Sequence, residues 1–224
     1  MIKRVKLADR PLPEYTLGEE ITNTLTHVAG GIGGAAALVL CLRKAIILHG
    51  ATEITAAAIY GACLLILYSF SSVYHGLRPG MAKRVMQVLD HCAIYFLIAG
   101  SYTIISLGAI RWASPALGWG LFTLEWILCA VATTLTAIDL KRYAVFSMIC
   151  YIGMGWAVLP CMKLIWEILT PPGFYLLLAG GLSYTAGAIL YGIGSRRRWF
   201  HSVFHVFVVL GSLLQFFAFY FYGI

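Results

Sequence analysis

His201 and His205 form an H-x3-H pair at the start of the last apolar stretch of this 224-residue chain. Residues four apart on a helix share a face, with Cβ atoms about 6 Å apart, so the two imidazoles can hold one ion together. Ser71 and His75 repeat the spacing at the end of the second apolar stretch, where the hydroxyl can face whatever the imidazole binds. Asn23 and His27 repeat it in the first stretch, with Glu20 one turn earlier. Asp90 and His91 open the third. Helix neighbours do not share a face, and Asp90 is the better candidate for the interior because a carboxylate near lipid most needs a cationic partner. Histidine is costly in lipid and needs a reason to be there. Several imidazoles with an aspartate are the donor set of a metal site inside a helix bundle.

Each motif alone has a plainer use. Histidines beside three arginines can touch lipid headgroups. A serine in a membrane helix often bonds back to its own backbone. Asp90 can pair with Lys83 or Arg84. Glu20 and Asn23 can be a first-turn acid and a cap, and His27 a satisfied interfacial histidine. Their joint occurrence on one side of the membrane favours the metal site.

That side is fixed by the elements that carry these residues. The chain is 61% hydrophobic and 11% charged, against about 25% charged in soluble domains, so water-soluble classes are excluded. A helix needs about 20 apolar residues to cross a bilayer. Seven such stretches are expected at 20–42, 53–76, 85–108, 113–137, 143–166, 174–194 and 200–222. Arg43-Lys44, Arg78-Pro79-Gly80, Arg111, Asp139 with Lys141-Arg142, Pro171-Pro172-Gly173 and Arg196 to Arg198 break them. Counted by alternating side, twelve basic residues fall with the N-terminus: Lys3, Arg4, Lys6, Arg10, Arg78, Lys83, Arg84, Lys141, Arg142 and Arg196 to Arg198. Four fall opposite: Arg43, Lys44, Arg111 and Lys163. This bias predicts a cytoplasmic N-terminus, an external C-terminus and an odd number of spans. Glu20, Asn23, His27, Ser71, His75, Asp90, His91, His201 and His205 then all lie near the cytoplasmic boundary, and His49 alone among the histidines falls outside.

The expected architecture is all-α, one seven-helix transmembrane domain over 1–224 with a short cytoplasmic tail, 1–18. The net charge of +7 punctuates apolar segments instead of forming a basic face, so membrane lipids are the expected partners and nucleic acid is not. The six cysteines, none in a C-x-x-C, read as packing residues without a disulfide framework. Gly30-x3-Gly34 suits close helix packing, or secondarily a dimer contact. Glu125, mid-span, is a functional candidate or a protonated, hydrogen-bonded carboxyl.

Glu20-x2-Asn23-x3-His27, Ser71-x3-His75, Asp90-His91-Cys92-Ala93-Ile94-Tyr95 leading to Ala99-Gly100-Ser101-Tyr102-Thr103, and His201-x3-His205 resemble, in order, the haemolysin III proteins of bacteria. Those belong to the progestin and adiponectin receptor superfamily, grouped with alkaline ceramidases. The resemblance implies seven helices and a Zn²⁺ near the cytoplasmic side of a bacterial inner membrane. It maps the zinc ligands to His75, His201 and His205, the aspartate to Asp90 and the serine to Ser71. Ile104 replaces a proline common in the family, and Gln215 stands where some relatives carry a histidine. The function expected is a zinc-dependent hydrolase of a lipid amide or ester. Asp90 and Ser71 would be its catalytic groups, and Glu20, Asn23 and His27 its supporting ones. The alternative is a non-enzymatic sensor of membrane lipid state, in which Asp90 closes the shell of a structural zinc. A pore or transporter is disfavoured, because the polar residues gather on one leaflet.

Overall fold

The computed structural model describes residues 5–194 and 197–224, and every regular element among them is helical. Of the basic residues used for the charge bias, Lys3, Arg4 and Arg196 lie outside the described residues. The helices are α1 (Leu17–Leu48), α2 (Ala51–Gly76), α3 (Met81–Ile105), α4 (Pro115–Ile138), α5 (Ala144–Gly155), α6 (Met162–Gly194) and α7 (Phe200–Ala218).

Local chemistry sets the ends. Thr16 caps α1: its hydroxyl accepts from the Glu19 N–H at 3.3 Å, and the Glu19 carboxylate accepts from the Thr16 N–H at 2.9 Å. This reciprocal box satisfies the orphan first-turn donors. Glu20 and Asn23 are therefore not needed as caps. α1 runs past Arg43-Lys44 to Leu48, because Lys44 turns its ammonium onto the Tyr220 carbonyl at 2.5 Å. Arg111 does not break the third stretch either. It pairs with Glu53, and its Nε donates to the Leu107 carbonyl at 2.9 Å. The chain after α3 continues through a widened turn, Ser106–Ile110, and one more turn, Arg111–Ala113. It kinks at Gly108 (φ −80°, ψ −106°) and ends at Ser114, before Pro115 at the start of α4, a position where a missing N–H costs nothing.

The expected single helix over 143–166 is interrupted. α5 ends at Gly155, and a short 3₁₀ turn at Leu159–Cys161, containing Pro160, precedes α6. Within Met162–Gly194 the backbone leaves helical geometry at Thr170 (φ 57°, ψ 165°), just before Pro171-Pro172. Proline disfavours a helical conformation in the preceding residue. Among the described residues, six helical stretches are long and apolar enough to cross a membrane, the longest being Ala144–Ile193 with 50 residues. At about 1.5 Å per residue that stretch would reach ~75 Å if straight, over twice the ~30 Å of a hydrocarbon core. The break at Thr170 falls inside it.

The core centres on α2 and α3, with Tyr60, Leu64, Leu67, Tyr68, Ala93, Leu97 and Ile104 all buried. Gly30 and Gly34 face Tyr68 and Leu64 of α2. Their glycine spacing serves packing inside the chain.

Candidate metal centre

α1 and α3 begin, α2 ends and α7 begins at one end of the bundle, and the polar residues singled out by spacing meet there. His201 Nε2 lies 3.2 Å from His75 Nε2 and 3.0 Å from His205 Nε2. The ligand atoms of these three residues all fall within 4.8 Å of one another. His75 and His205 are buried.

The opposite edges of the rings are held from α1. His75 Nδ1–H donates to Glu20 Oε2 at 2.6 Å, and the Asn23 amide lies 3.4 Å from the same nitrogen. His205 Nδ1–H donates to the Asn23 carbonyl at 3.3 Å. Asn23 thus touches both rings, one through its side chain and one through its backbone. His27, one turn on, stacks on His205 with ring centroids 3.7 Å apart and 14° between planes. Glu20, Asn23 and His27, at i, i+3 and i+7, form one stripe of α1.

These contacts decide which nitrogens bear hydrogen. With both Nδ1 atoms donating outward, the Nε2 atoms of His75 and His205 present lone pairs, and both face His201 Nε2. Nitrogen lone pairs at 3.0–3.2 Å repel unless a proton or cation lies among them. Inward-facing imidazoles oriented by a carboxylate or carbonyl behind them are what a metal ion requires; His75 and His205 have such partners, whereas His201 Nδ1 has none among the described residues. The residues present fit a metal ion.

Asp90 and Ser71 stand beside the cluster and not within it. Both line a cavity of about 130 Å³ that also touches His201 and His205 and extends toward the middle of the bundle. Ser71 Oγ is buried with no hydrogen-bond partner among the described residues. His91 lines this cavity as well, although only Asp90 was expected to face inward. The cavity is broad enough to be bordered from both flanks of α3. His91 Nδ1 donates to the Gln87 carbonyl at 2.8 Å, and its Nε2 lies 3.4 Å from the Tyr191 hydroxyl.

Two neighbours had no signal in the spacing. Lys83 is buried, with Nζ 2.7 Å from Glu20 Oε1 and 2.9 Å from the Leu77 carbonyl. It neutralises the carboxylate that orients His75, so it is not the counter-ion of Asp90. Tyr15, ahead of α1, stacks on His201 at 4.9 Å and 22°. Lys83 could have been found only by asking which cation a buried Glu20 needs. Glu125 is remote from the cluster. It is fully buried, and neither carboxyl oxygen has a hydrogen-bond partner among the described residues, unlike the bonded carboxyl expected.

Long apolar helices enclosing a three-histidine cluster define a multi-pass membrane protein with a candidate metal centre. The Haemolysin-III related family model matches residues 15–216, and the chain belongs to that family. It is 36% identical to Hemolysin-3 of Bacillus cereus over 91% of each chain. It is 34% identical to a Hemolysin-3 homolog of Bacillus subtilis, covering 93% of this chain and 96% of that one. A more distant relative is the human Monocyte to macrophage differentiation factor, 25% identical over 72% of this chain and 68% of its own. No solved structure gives a significant match.

Proposed function

We propose that the chain is a zinc-dependent hydrolase of a lipid amide or ester, working at the cytoplasmic leaflet of a bacterial inner membrane. The observation that carries this reading is the placement of Asp90: it shares a cavity with His201 and His205 of the cluster yet is not part of that cluster. His75, His201 and His205 would hold the ion. Three imidazoles are a donor set found in catalytic zinc sites, and His201 Nε2 lies 3.2 and 3.0 Å from the Nε2 atoms of His75 and His205. When bound, zinc would supply a Lewis acid for a carbonyl and lower the pKa of water toward about 7.

The chain's own residues do the rest. Glu20 and Asn23 hold the imidazoles in the tautomer that points lone pairs inward. The Asp90 carboxylate takes a proton from the attacking water and then delivers it to the leaving amine or alcohol. The Ser71 hydroxyl, which has no hydrogen-bond partner among the described residues, donates to the substrate carbonyl oxygen, where negative charge develops. The apolar remainder of the cavity takes an acyl chain that enters from the membrane.

Seven crossings complete this reading. The stretch Ala144–Ile193 crosses twice, turning at Thr170-Pro171-Pro172, so that 1–224 is one seven-helix domain. Residues 1–18 are its cytoplasmic tail, and the C-terminus is outside. The charge bias supports this orientation.

Asp90→Asn keeps shape and hydrogen bonding but removes the basic carboxylate. We expect it to fold, retain zinc and lose lipid-amidase or esterase activity by about 10²-fold or more. The assay follows fatty acid released from a panel of acyl amides and esters, with chelator-treated protein as control. A zinc-loaded parent that releases nothing, together with an Asp90→Asn variant stripped of metal, would favour the alternative: a regulator of membrane lipid state with structural zinc, closed by Asp90.

A further inference from the structure

The cavity below the histidines does not end in plain apolar packing. Ser101 and Gln215 border both it and a second cavity of about 50 Å³ deeper in the bundle, so they stand at the neck between the two. Ser101 Oγ and Gln215 Oε1 are buried with no hydrogen-bond partner among the described residues, and Ser101 is only 7% exposed. Buried polar atoms are nearly always paired, so two such orphans at one neck need an explanation.

The other polar groups at this depth are already satisfied. Tyr102 donates to the Gly155 carbonyl at 3.2 Å and accepts from the Val158 N–H at 2.9 Å. Thr185 donates to the Gly181 carbonyl at 2.8 Å and accepts from Trp156 Nε1 at 3.0 Å. Tyr184 bonds Ser212 at 2.7 Å. Beyond the neck the lining turns apolar, with Ile105, Met162, Leu177 and Phe219. The sequence of environments is therefore polar centre, apolar tube, polar neck, apolar end.

We propose that the neck reads an oxygen function partway along an acyl chain, and that the ligand class is a mid-chain hydroxylated fatty acyl group. This rests on the hydrolase reading for the position of the carbonyl. Two helices give the distance. Asp90 to Ser101 is eleven residues of α3 and His205 to Gln215 is ten of α7, so the neck lies ~15 Å below the centre at about 1.5 Å per residue. A C–C bond of about 1.52 Å in an extended chain advances ~1.25 Å, which places the neck near carbon 12. A hydroxyl there donates to Gln215 Oε1 and accepts from the Ser101 hydroxyl, while the carbons beyond it fill the second cavity. Leaving both orphans unpaired against a plain chain disfavours that chain, as sites built around a hydroxyl reject analogues that lack it.

The test is direct binding to the full-length protein in nanodiscs, read by displacement of a fluorescent fatty acid. The probes are 12-hydroxyoctadecanoate, octadecanoate and 6-hydroxyoctadecanoate. We expect the 12-hydroxy acid to bind about tenfold more tightly than either of the others. Ser101→Ala and Gln215→Leu should each bring the ratio close to one, by weakening the 12-hydroxy acid and strengthening octadecanoate. Thermal midpoints and zinc content of the variants show that they are folded. Equal affinities for the three acids, binding of none, or a preference that survives the double variant overturns the proposal. Ordered internal water as the natural partner of the neck would give the first of these results. Cleavage of the N-acyl amides of the same acids separates this inference from the hydrolase. Isomer selectivity without cleavage keeps the neck and removes the hydrolase; cleavage without selectivity does the opposite.

Discussion

The identity of the ion and the strength of its hold turn on a few side chains. His201→Ala and His205→Ala should each lose most of the near-stoichiometric zinc expected in purified protein, measured by elemental analysis. Full retention in the double variant would remove the assignment. Glu20→Gln tests the outer contacts: it loses the charge that orients His75 and leaves Lys83 without its carboxylate. Its zinc affinity, measured by competition with a chelator, should fall about 10–100-fold, the usual cost of losing an orienting partner. Much of this was legible at the residue scale. The i, i+4 pairs and the stripe Glu20, Asn23 and His27 follow from helix periodicity alone. Lys83 and Tyr15 were not, because nothing in their own neighbourhoods marks them. Lys83 meets Glu20 across 63 positions of sequence, and Tyr15 meets His201 across an even longer gap.

At the scale of the element, α1 and α2 set the position of the stripe. Tyr68 packs against Gly30, lies 5.2 Å edge-on to His27 and donates to Ser212 of α7 at 2.7 Å. Gly30→Leu forces Tyr68 out of that place. Its cost should be about 1–3 kcal/mol, the range for overpacking a core, seen as a lower thermal midpoint together with weaker zinc binding. The turn after α4 gives a pH test. Burial pushes the Asp139 carboxyl up, but the N–H of Arg142, the nearby Arg10 charge and the N–H of Lys141 together hold it below its ordinary 3.8. A depressed carboxyl contributes stability that is present above its unfolded value and lost as pH falls through the folded one. The thermal-midpoint gap between the parent and Asp139→Asn should therefore be full above about pH 4 and should close as the pH drops further. Helix ends were the least legible feature. Arg43-Lys44 and Arg111 look like breaks, but Lys44 and Arg111 reach carbonyls and a carboxylate at the rim. The interruption between α5 and α6 is marked only by Pro160.

For the whole molecule, reporter fusions at the two ends should place the N-terminus in the cytoplasm and the C-terminus outside. Both ends on one side would remove a crossing and overturn the seven-span orientation. The all-helical membrane class was legible from composition. The charge bias supports the expected orientation, and the kink at Thr170 falls at the break that Pro171-Pro172-Gly173 marks in the sequence. The cluster also has a consequence for biogenesis. His75 is made early, but its two companions arrive with α7, 126 and 130 residues later. A chain that has inserted only its first six helices holds one imidazole and cannot retain the ion. Metal loading at this site would therefore report that synthesis and insertion are complete, and it would join the first-made helices to the last, so that a stalled or truncated chain would stay open at the end where the ligands should meet.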